Sequence, residues 1–366
     1  MGGVTSTDGS NPDHYNVVEP ARKLPASERK ELYNLAKKAI ASLSDQFQQK
    51  VHFDDQNLKI GFDYDVSVLW GLASHENLWV IFSKSLGYDR NDLCGIYGPT
   101  AESTRFDPGK YESALTNMIK EAEDFFATFE SKRSQDSSPP QTYKNMKDLA
   151  IDLIKDSKGA AIGELHEDTS SKEFLISQME TFVEQGVKVL FMEIFSDSLQ
   201  KDLDHYLEKS TPIDEIPVAI RYGALWKVDE TQGEKQDVGN ETAYLEVLKA
   251  AKRAGIERVV GIDSYLTRSE TTPRLTTLNY QAKQVIEKEM PKDGKFLVLC
   301  GGGHATTTDN IPGFSQIFDI PCLIAENTNA DRGNQTVLKK EKTVVAEMTF
   351  DYAVFLTPED KIFLQS

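Results

Sequence analysis

Two short Gly-x-x-His sequences contain the residues of this chain best suited to chemistry. Gly163-Glu164-Leu165-His166 sets a carboxylate two positions before an imidazole, and Gly301-Gly302-Gly303-His304 sets a glycine run before another. Histidine titrates near neutral pH, and a neighbouring carboxylate can orient it or raise its basicity. The chain has six histidines, so the occurrence of two in the same setting points to a shared role in proton transfer.

The glycine run has a physical role of its own. Gly301, Gly302 and Gly303 permit a sharp turn and leave backbone N–H groups unshielded, which suits the binding of an anion or an oxyanion. The run is not a dinucleotide-binding fingerprint, because no Gly-x-Gly-x-x-Gly opens a helix here. We therefore expect Gly302 and Gly303 to contact a substrate.

These residues stand at the ends of apolar runs that are typical of buried strands, at 160–162, 187–192, 258–262 and 296–300. In a parallel sheet the carboxyl ends of the strands share one edge, and ligands bind in the crevice beyond it. Four strand ends are thus predicted to meet at one polar pocket. The residues that they deliver are Glu164, His166, Glu193, Asp263 and His304.

Each residue also has a purely structural interpretation. A single histidine at a strand end is commonly a hydrogen-bonded structural residue, and a single carboxylate there is commonly a helix cap. Five such groups at one edge are harder to explain in that way. We therefore expect catalytic residues at Glu164, His166, Glu193 and His304, with Asp263 binding the substrate.

The helix that follows the third strand adds two polar candidates. Asn279 interrupts the apolar stripe of Leu275, Ala282 and Ile286. A buried amide without a partner would cost about 1–3 kcal/mol, so Asn279 should bond either to the site or to a loop as a tether. Arg274 either clamps a substrate carboxylate or phosphate or lies at the surface. Both are candidate substrate-binding residues.

The alternation of strands and helices predicts an α/β domain over 143–366. Near-continuous apolar strands indicate a largely parallel sheet with helices on both faces, and apolar runs at 344–346 and 352–356 predict a closing hairpin that makes it mixed. Upstream, helical stripes after Ser27 and over 111–131 predict a mainly helical domain at 26–131. Polar composition predicts a disordered tail at 1–25 and a linker at 132–142.

Composition limits the partners. The net charge is −17 and no basic face is visible, so nucleic acid is excluded as a main partner. No run is apolar enough for a membrane helix or a secretion signal, which predicts a cytoplasmic protein. The cysteines, Cys94, Cys300 and Cys322, have no metal or disulfide spacing, and the last two lie in apolar runs typical of buried residues.

Two N-terminal features concern membranes. Gly2, followed by Ser6, matches the N-myristoylation pattern, although a flexible tail would contain the same residues. The first helix has a basic side that either contacts an anionic membrane or is simply solvated. Its residues are Arg22, Lys23, Arg29, Lys30, Lys37 and Lys38.

Together these motifs resemble a known superfamily. Gly163-Glu164-Leu165-His166, Glu193, Asp263, Arg274 with Asn279, and Gly301-Gly302-Gly303-His304 are similar to the motifs of erythromycin esterases, ChaN-like haem-uptake lipoproteins and Tiki/TraB proteases. They are most similar in type to the ChaN-like domain of bacterial toxins and host-delivered effectors. The resemblance covers about residues 143–356 and implies the EreA/ChaN-like fold.

The branches of that superfamily imply different chemistry. In the esterase branch, residues matching Glu164, His166, Glu193 and His304 activate water without a tightly held metal. In the Tiki branch, paired Gly-x-x-His motifs are metal-dependent and cut peptides, so His166 and His304 would hold Zn²⁺ or Mn²⁺. The ChaN branch binds haem through a tyrosine that has no identifiable counterpart here, so haem is not expected.

The resemblance therefore implies an intracellular hydrolase of ester or amide bonds, delivered into a host cell as a toxin or effector. Its substrate would be a small molecule or a peptide. The alternatives are a metal-dependent peptidase and a non-enzymatic module that binds a host protein or membrane and keeps the pocket as a relic.

Overall fold

A computed structural model describes most of the chain from residue 108 onward and several short stretches before it. The described residues are 16–18, 30, 33, 34, 37, 51–56, 59–62, 108–131, 133, 139–165, 168–217, 220, 237–264, 266–268, 273–327 and 336–357.

The N-terminal stretches contain a small antiparallel sheet in the order β1-β3-β2. Its strands are β1 (Asn16–Val18), β2 (Val51–Asp54) and β3 (Lys59–Phe62). The sequence did not predict this sheet, whose first strand falls in the expected tail. Tyr33 and Lys37 are helical and both contact Asp55 Oδ1, at 2.6 and 2.7 Å, whereas the residues of the predicted apolar stripe lie outside the described residues. Gly2, Cys94 and the basic residues Arg22, Lys23, Arg29 and Lys38 lie outside the described residues.

The main sheet has eight described strands in the order β4-β10-β11-β9-β5-β8-β6-β7. From β11 to β7 each neighbouring pair is parallel, whereas β10 is antiparallel to both β11 and β4. The predicted mixed, largely parallel sheet is confirmed. Its strands are β4 (Gln141–Thr142), β5 (Gly159–Glu164), β6 (Val187–Ser196), β7 (Arg258–Asp263), β8 (Lys295–Gly301), β9 (Cys322–Asn327), β10 (Val337–Val345) and β11 (Met348–Leu356).

Helices cover both faces of this sheet, as expected from its apolar strands. The helices are α1 (Pro108–Thr128), α2 (Met146–Ile154), α3 (Ser170–Glu184), α4 (Gln200–Leu207), α5 (Asp237–Ala254), α6 (Arg274–Glu289), α7 (Gly302–Ala305) and α8 (Phe314–Ile317). One core contains residues of α2, α3, α4 and α5, among them Phe182 and Val247. The other contains residues of α6, α7 and α8, among them Ile286 and Phe314.

The ends of α3 and α5 follow from the sequence. On α3, Leu175, Met179 and Phe182 are buried at helical spacing, and Gly186 follows with φ of 90°. That left-handed conformation is costly for residues with a Cβ, so glycine ends the helix where the sequence predicted. Gly255 ends α5 in the same way, with φ of 91°.

Helix α1 packs against α6, the helix that also contains Arg274 and Asn279. The Phe125 and Tyr280 rings lie 5.7 Å apart, and Lys283 Nζ lies 5.1 Å from the Phe125 ring. Farther on, Arg133 forms an ion pair with Asp351 of β11. The segment 132–142 thus reaches the main sheet through Arg133 and through β4. None of the described helices has the length and apolar character to cross a membrane.

Candidate functional site

The four strands that end in candidate residues are neighbours in the sheet, in the order β5-β8-β6-β7. Glu164 at the end of β5 is paired with Gly301 at the end of β8. The pairing of β6 with β8 stops at Met192, and its pairing with β7 becomes irregular between Met192 and Ser196. Glu193 is therefore inside β6, rather than after it as predicted, but it is the first residue beyond the regular pairing.

His304 lies in the single turn α7 and is held by Asn279. The two side chains meet with Nδ1 of His304 2.7 Å from Oδ1 of Asn279, and Nδ2 of Asn279 donates to the carbonyl of Pro312 at 3.0 Å. An amide oxygen only accepts, so Nδ1 carries the hydrogen and Nε2 is the basic nitrogen of the neutral ring. Asn279 is fully buried and fills both roles that the sequence left open, since it contacts the site and tethers a loop.

Glu193 lies beside that basic nitrogen. Its Oε1 is 3.8 Å from His304 Nε2 and 3.1 Å from Arg274 Nη2, and its Oε2 accepts the backbone N–H of Gly301 at 2.6 Å. The carboxylate is 1% exposed. A buried charge held by two donors keeps its orientation, so Glu193 is a fixed negative charge next to the imidazole.

Arg274 joins Glu193 to Asp263. Its Nη2 lies 3.0 Å from Asp263 Oδ2, and Asp263 also accepts from the Thr267 hydroxyl at 2.5 Å and from the Ser264 N–H at 2.9 Å. Burial lowers the pKa of the Arg274 guanidinium, but the carboxylates of Asp263 and Glu193 outweigh it and the pKa is raised. Arg274 is therefore a permanent cation that binds two protein carboxylates in this structure.

Glu164 has partners that the sequence analysis missed. Its Oε2 is 2.8 Å from Nζ of Lys172, and its Oε1 accepts a hydrogen bond from the Tyr244 hydroxyl. Burial, followed by the charge of Glu164, raises the pKa of Tyr244 well above its ordinary value, so the phenol stays protonated and donates. Oε1 of Glu164 is thus hydrogen-bonded to Tyr244, and Oε2 is ion-paired with Lys172.

A signal for these two residues was present in the sequence. Lys172 precedes Leu175 by three positions and Met179 by seven, so it shares the apolar face of α3. Tyr244 precedes Leu248 by four positions on α5. A lysine in register with a buried stripe requires a partner, and the nearest strand end supplied one.

The glycines have packing roles in addition to the one predicted. The N–H of Gly301 is used by Glu193, so that group serves the carboxylate. A Cβ on Gly302 would lie 2.9 Å from Met348 Sδ, whereas one on Gly303 would come no closer than 3.6 Å to Thr308. A Cβ on Gly302 would thus meet the end of the flexible Met348 side chain, which would have to shift, and a substrate contact through Gly302 or Gly303 stays a prediction.

His166 lies outside the described residues, and its predicted catalytic role stays a prediction. The same holds for a metal shared by His166 and His304. Among the residues with described positions, no group of three or more His, Cys, Asp or Glu side chains is placed to hold a metal ion. Glu164, Glu193 and Asp263 instead bind Lys172 and Arg274, with which a metal ion would have to compete. The described part of this donor set therefore does not fit a metal.

Both described cysteines are buried, as predicted. Cys300 is 0% exposed in β8 and Cys322 is 1% exposed in β9. The backbone N–H and the thiol of Cys322 face Asp351 Oδ2, at 2.8 and 3.2 Å. Burial, followed by the charge of Asp351, raises the pKa of the Cys322 thiol to about 12, so it is not a nucleophile near neutral pH.

The sequence matches no protein-family model and no curated protein. Solved structures with a similar fold are bacterial toxins and effectors. One is RRSP, a MARTX toxin effector domain from Vibrio vulnificus CMCP6, at 17% identity over 90% of this chain and 68% of that one, with a TM-score of 0.49. Another is the type III effector HopBA1, at 18% identity over 61% and 99%, with a TM-score of 0.42.

A third is the C-terminal region of Pasteurella multocida toxin, which is described as having a thiol-protease like catalytic triad. It is 12% identical over 87% of this chain and 48% of that chain, with a TM-score of 0.50. At these identities the likeness concerns the fold alone.

Proposed function

We propose that this chain hydrolyses ester or amide bonds and acts as an effector of the bacterial toxin type, with His304 as general base. The observation that carries the proposal is the alignment of Asn279, His304 and Glu193. The hydrogen bond to Asn279 keeps the hydrogen of the His304 ring on Nδ1, so Nε2 is the basic nitrogen. Nε2 lies 3.8 Å from Oε1 of Glu193. A base held by a neutral acceptor on one side and a carboxylate on the other is poised to take a proton.

In this proposal His304 Nε2 removes a proton from water, and the water oxygen attacks the substrate carbonyl. The bond to the leaving alcohol or amine then breaks, and the imidazolium returns the proton to that group. Glu193 stabilises the imidazolium between these steps. Arg274 keeps Glu193 ionised and oriented, and His166 is proposed as a second polar group at the same edge.

The effector role is supported by the nature of the solved structures with a similar fold, and the hydrolase role by the erythromycin esterase/ChaN-like resemblance of the motifs. The thiol-protease like triad belongs to the Pasteurella multocida toxin structure. We do not propose a thiol nucleophile among the described residues, because Cys300 and Cys322 are buried away from solvent.

The test uses 4-nitrophenyl esters and a peptide library as probes. His304→Ala and, separately, His166→Ala are each expected to lower hydrolysis at least ~100-fold, the contribution typical of a general base. His205→Ala is the matched control, since His205 lies on α4 with its side chain 64% exposed. Retention of full activity by His304→Ala would show that the proposal is wrong.

Two further arms separate the alternatives. Activity that disappears with a chelator and returns with Zn²⁺ or Mn²⁺ would favour the metal-dependent peptidase. A cellular phenotype that survives substitution of both His166 and His304 would instead favour a binding module for a host protein or membrane. The hydrolase proposed here predicts neither result.

A further inference from the structure

The buried lysine beside Glu164 is the feature from which a further inference follows. Lys172 is 0% exposed, although long charged side chains rarely lose all contact with water. Its ammonium group lies 2.8 Å from Glu164 Oε2, donates to the carbonyl of Asp168 at 3.0 Å and sits 4.6 Å from the centre of the Tyr244 ring. The lysine therefore has an ionic, a hydrogen-bonded and an aromatic partner.

Such an arrangement is costly unless every partner is in place. An ammonium group taken out of water must recover its lost hydration from a counter-charge and from hydrogen bonds. An apolar residue at position 172 would complete the stripe of α3 without that cost. The presence of a lysine therefore indicates that a positive charge is required at this position. The carboxylate that it pairs with is Glu164.

The contacts of Lys172 bracket one of the proposed catalytic residues in the sequence. Glu164 precedes His166 by two positions and Asp168 follows it by two. Asp168 is itself held, because its carboxylate accepts from Ser170 N at 2.8 Å and from Asn327 N at 2.9 Å. One ammonium group thus contacts a residue on each side of His166 in the sequence.

Lys172 and Tyr244 also limit what the Glu164 carboxylate can do. Lys172 is ion-paired with Oε2 and the Tyr244 hydroxyl donates to Oε1, so protonation of Glu164 would remove the counter-charge of a buried ammonium group. The other titratable groups close to Tyr244 are the Glu193 carboxylate on β6 and the Cys300 thiol on β8. Lys172 is the cation paired with Glu164, whereas Glu193 is paired with Arg274.

We propose that Lys172 and Tyr244 are positioning residues that hold Glu164 as a fixed, ionised carboxylate at the end of β5. Glu164 then supplies negative charge to the site and does not transfer protons, which leaves proton transfer to the histidines. The catalytic meaning of this assignment rests on the proposed hydrolase function. The contacts of Lys172 and Tyr244 with Glu164 exist whether or not the protein is a hydrolase.

The experiment is a carboxyl ¹³C NMR titration of protein labelled at glutamate, with the Glu164 signal assigned through Glu164→Gln. In Lys172→Met the Glu164 midpoint is expected to rise by at least ~1 pH unit, because a buried carboxylate loses its counter-charge. Tyr244→Phe removes one donor and is expected to give a smaller rise. Lys147→Met is the control, since the Lys147–Glu184 pair is exposed at 58% and 60%.

If Lys172→Met folds poorly, the Glu164 midpoint can still be measured in Tyr244→Phe. The double variant Lys172→Met with Glu164→Gln removes both charges and is expected to regain most of the lost melting temperature. An unchanged Glu164 midpoint in both Lys172→Met and Tyr244→Phe would overturn the proposal.

An activity measurement links this inference to the reaction. In Lys172→Met, hydrolysis of 4-nitrophenyl esters should fall further over the pH range in which NMR shows Glu164 taking up a proton, and a purely structural lysine would leave the shape of the pH profile unchanged. Protein that shows the NMR shift but hydrolyses no probe would contradict the hydrolase and keep the positioning of Glu164. Protein that hydrolyses the probe but shows no change in the Glu164 midpoint would support the hydrolase and contradict the positioning of Glu164.

Discussion

Asn279 accepts a hydrogen bond from His304 at 2.7 Å while its own amide donates to the carbonyl of Pro312 at 3.0 Å. One buried side chain on α6 therefore sets the tautomer of the proposed base and ties it to the loop before α8. Because α6 also presents Arg274 to Glu193, a single helix positions the imidazole and its neighbouring carboxylate.

Substitution of Asn279 should separate these two functions. Asn279→Ala is expected to lower activity about 100-fold, because the imidazole loses its fixed tautomer. It should also cost about 1–3 kcal/mol of stability, because buried polar groups lose their partner. Asn279→Asp still accepts from Nδ1 but cannot donate to Pro312, so ¹⁵N spectra of His304 should keep the Nδ1–H tautomer in that variant alone. Identical imidazole spectra in both variants would contradict this account.

Arg274 should be a strong determinant of stability as well as of the site. Arg274→Met leaves the buried Asp263 and Glu193 carboxylates without their cation, which is expected to cost about 3–5 kcal/mol in urea unfolding. Arg274→Lys should recover little of this, because an ammonium group cannot span two carboxylates as the planar guanidinium does. Arg253→Met is a suitable control, since Arg253 is 51% exposed and 3.9 Å from Glu246. Equal urea-unfolding midpoints for Arg274→Met and Arg253→Met would refute the prediction.

A substitution at Gly163 would test how closely the first Gly-x-x-His sequence packs against Phe350. A Cβ at this position would lie 2.6 Å from Phe350 Cε1, and the ring is fully buried. Gly163→Ala is therefore expected to destabilise the protein by about 1–3 kcal/mol, through overpacking. Phe350→Leu in the same chain should recover part of that loss, as a double-mutant cycle would show. Gly303→Ala has room for its Cβ, so it should keep its stability while reporting on substrate contact.

Cys322 should make stability fall at alkaline pH. Its folded pKa is about 12, raised by burial and by Asp351 from an ordinary value of 9.0. Because the pKa of Cys322 is higher in the folded than in the unfolded protein, its contribution to the free energy of unfolding is complete below pH 9. That contribution is lost as the pH rises toward 12. Within that window the loss amounts to about 1.4 kcal/mol per pH unit. Urea unfolding of wild type and Cys322→Ala under reducing conditions measures it, and equal slopes between pH 9 and 11 would contradict the prediction.

The sequence by itself was sufficient to predict a mixed, largely parallel sheet with helices on both faces, but not the order of its strands. Continuous apolar runs at β5, β6, β7 and β8 can be buried only in a sheet covered on both faces, and the glycines after α3 and α5 mark where those helices stop. Hydrophobic periodicity acts locally, so it can be read without knowing which elements touch. The same runs placed Glu164, Glu193, Asp263 and His304 at one edge.

Only the tertiary structure decided how these side chains are paired. Arg274 and Asn279 could have faced a ligand or the protein, and their contacts with Glu193 and His304 depend on the angle at which α6 crosses the sheet. Lys172 and Tyr244 come from two different helices and meet at Glu164, a coincidence that no spacing within one element encodes. Periodicity specifies which face of an element is buried, and packing between elements decides which buried charges meet.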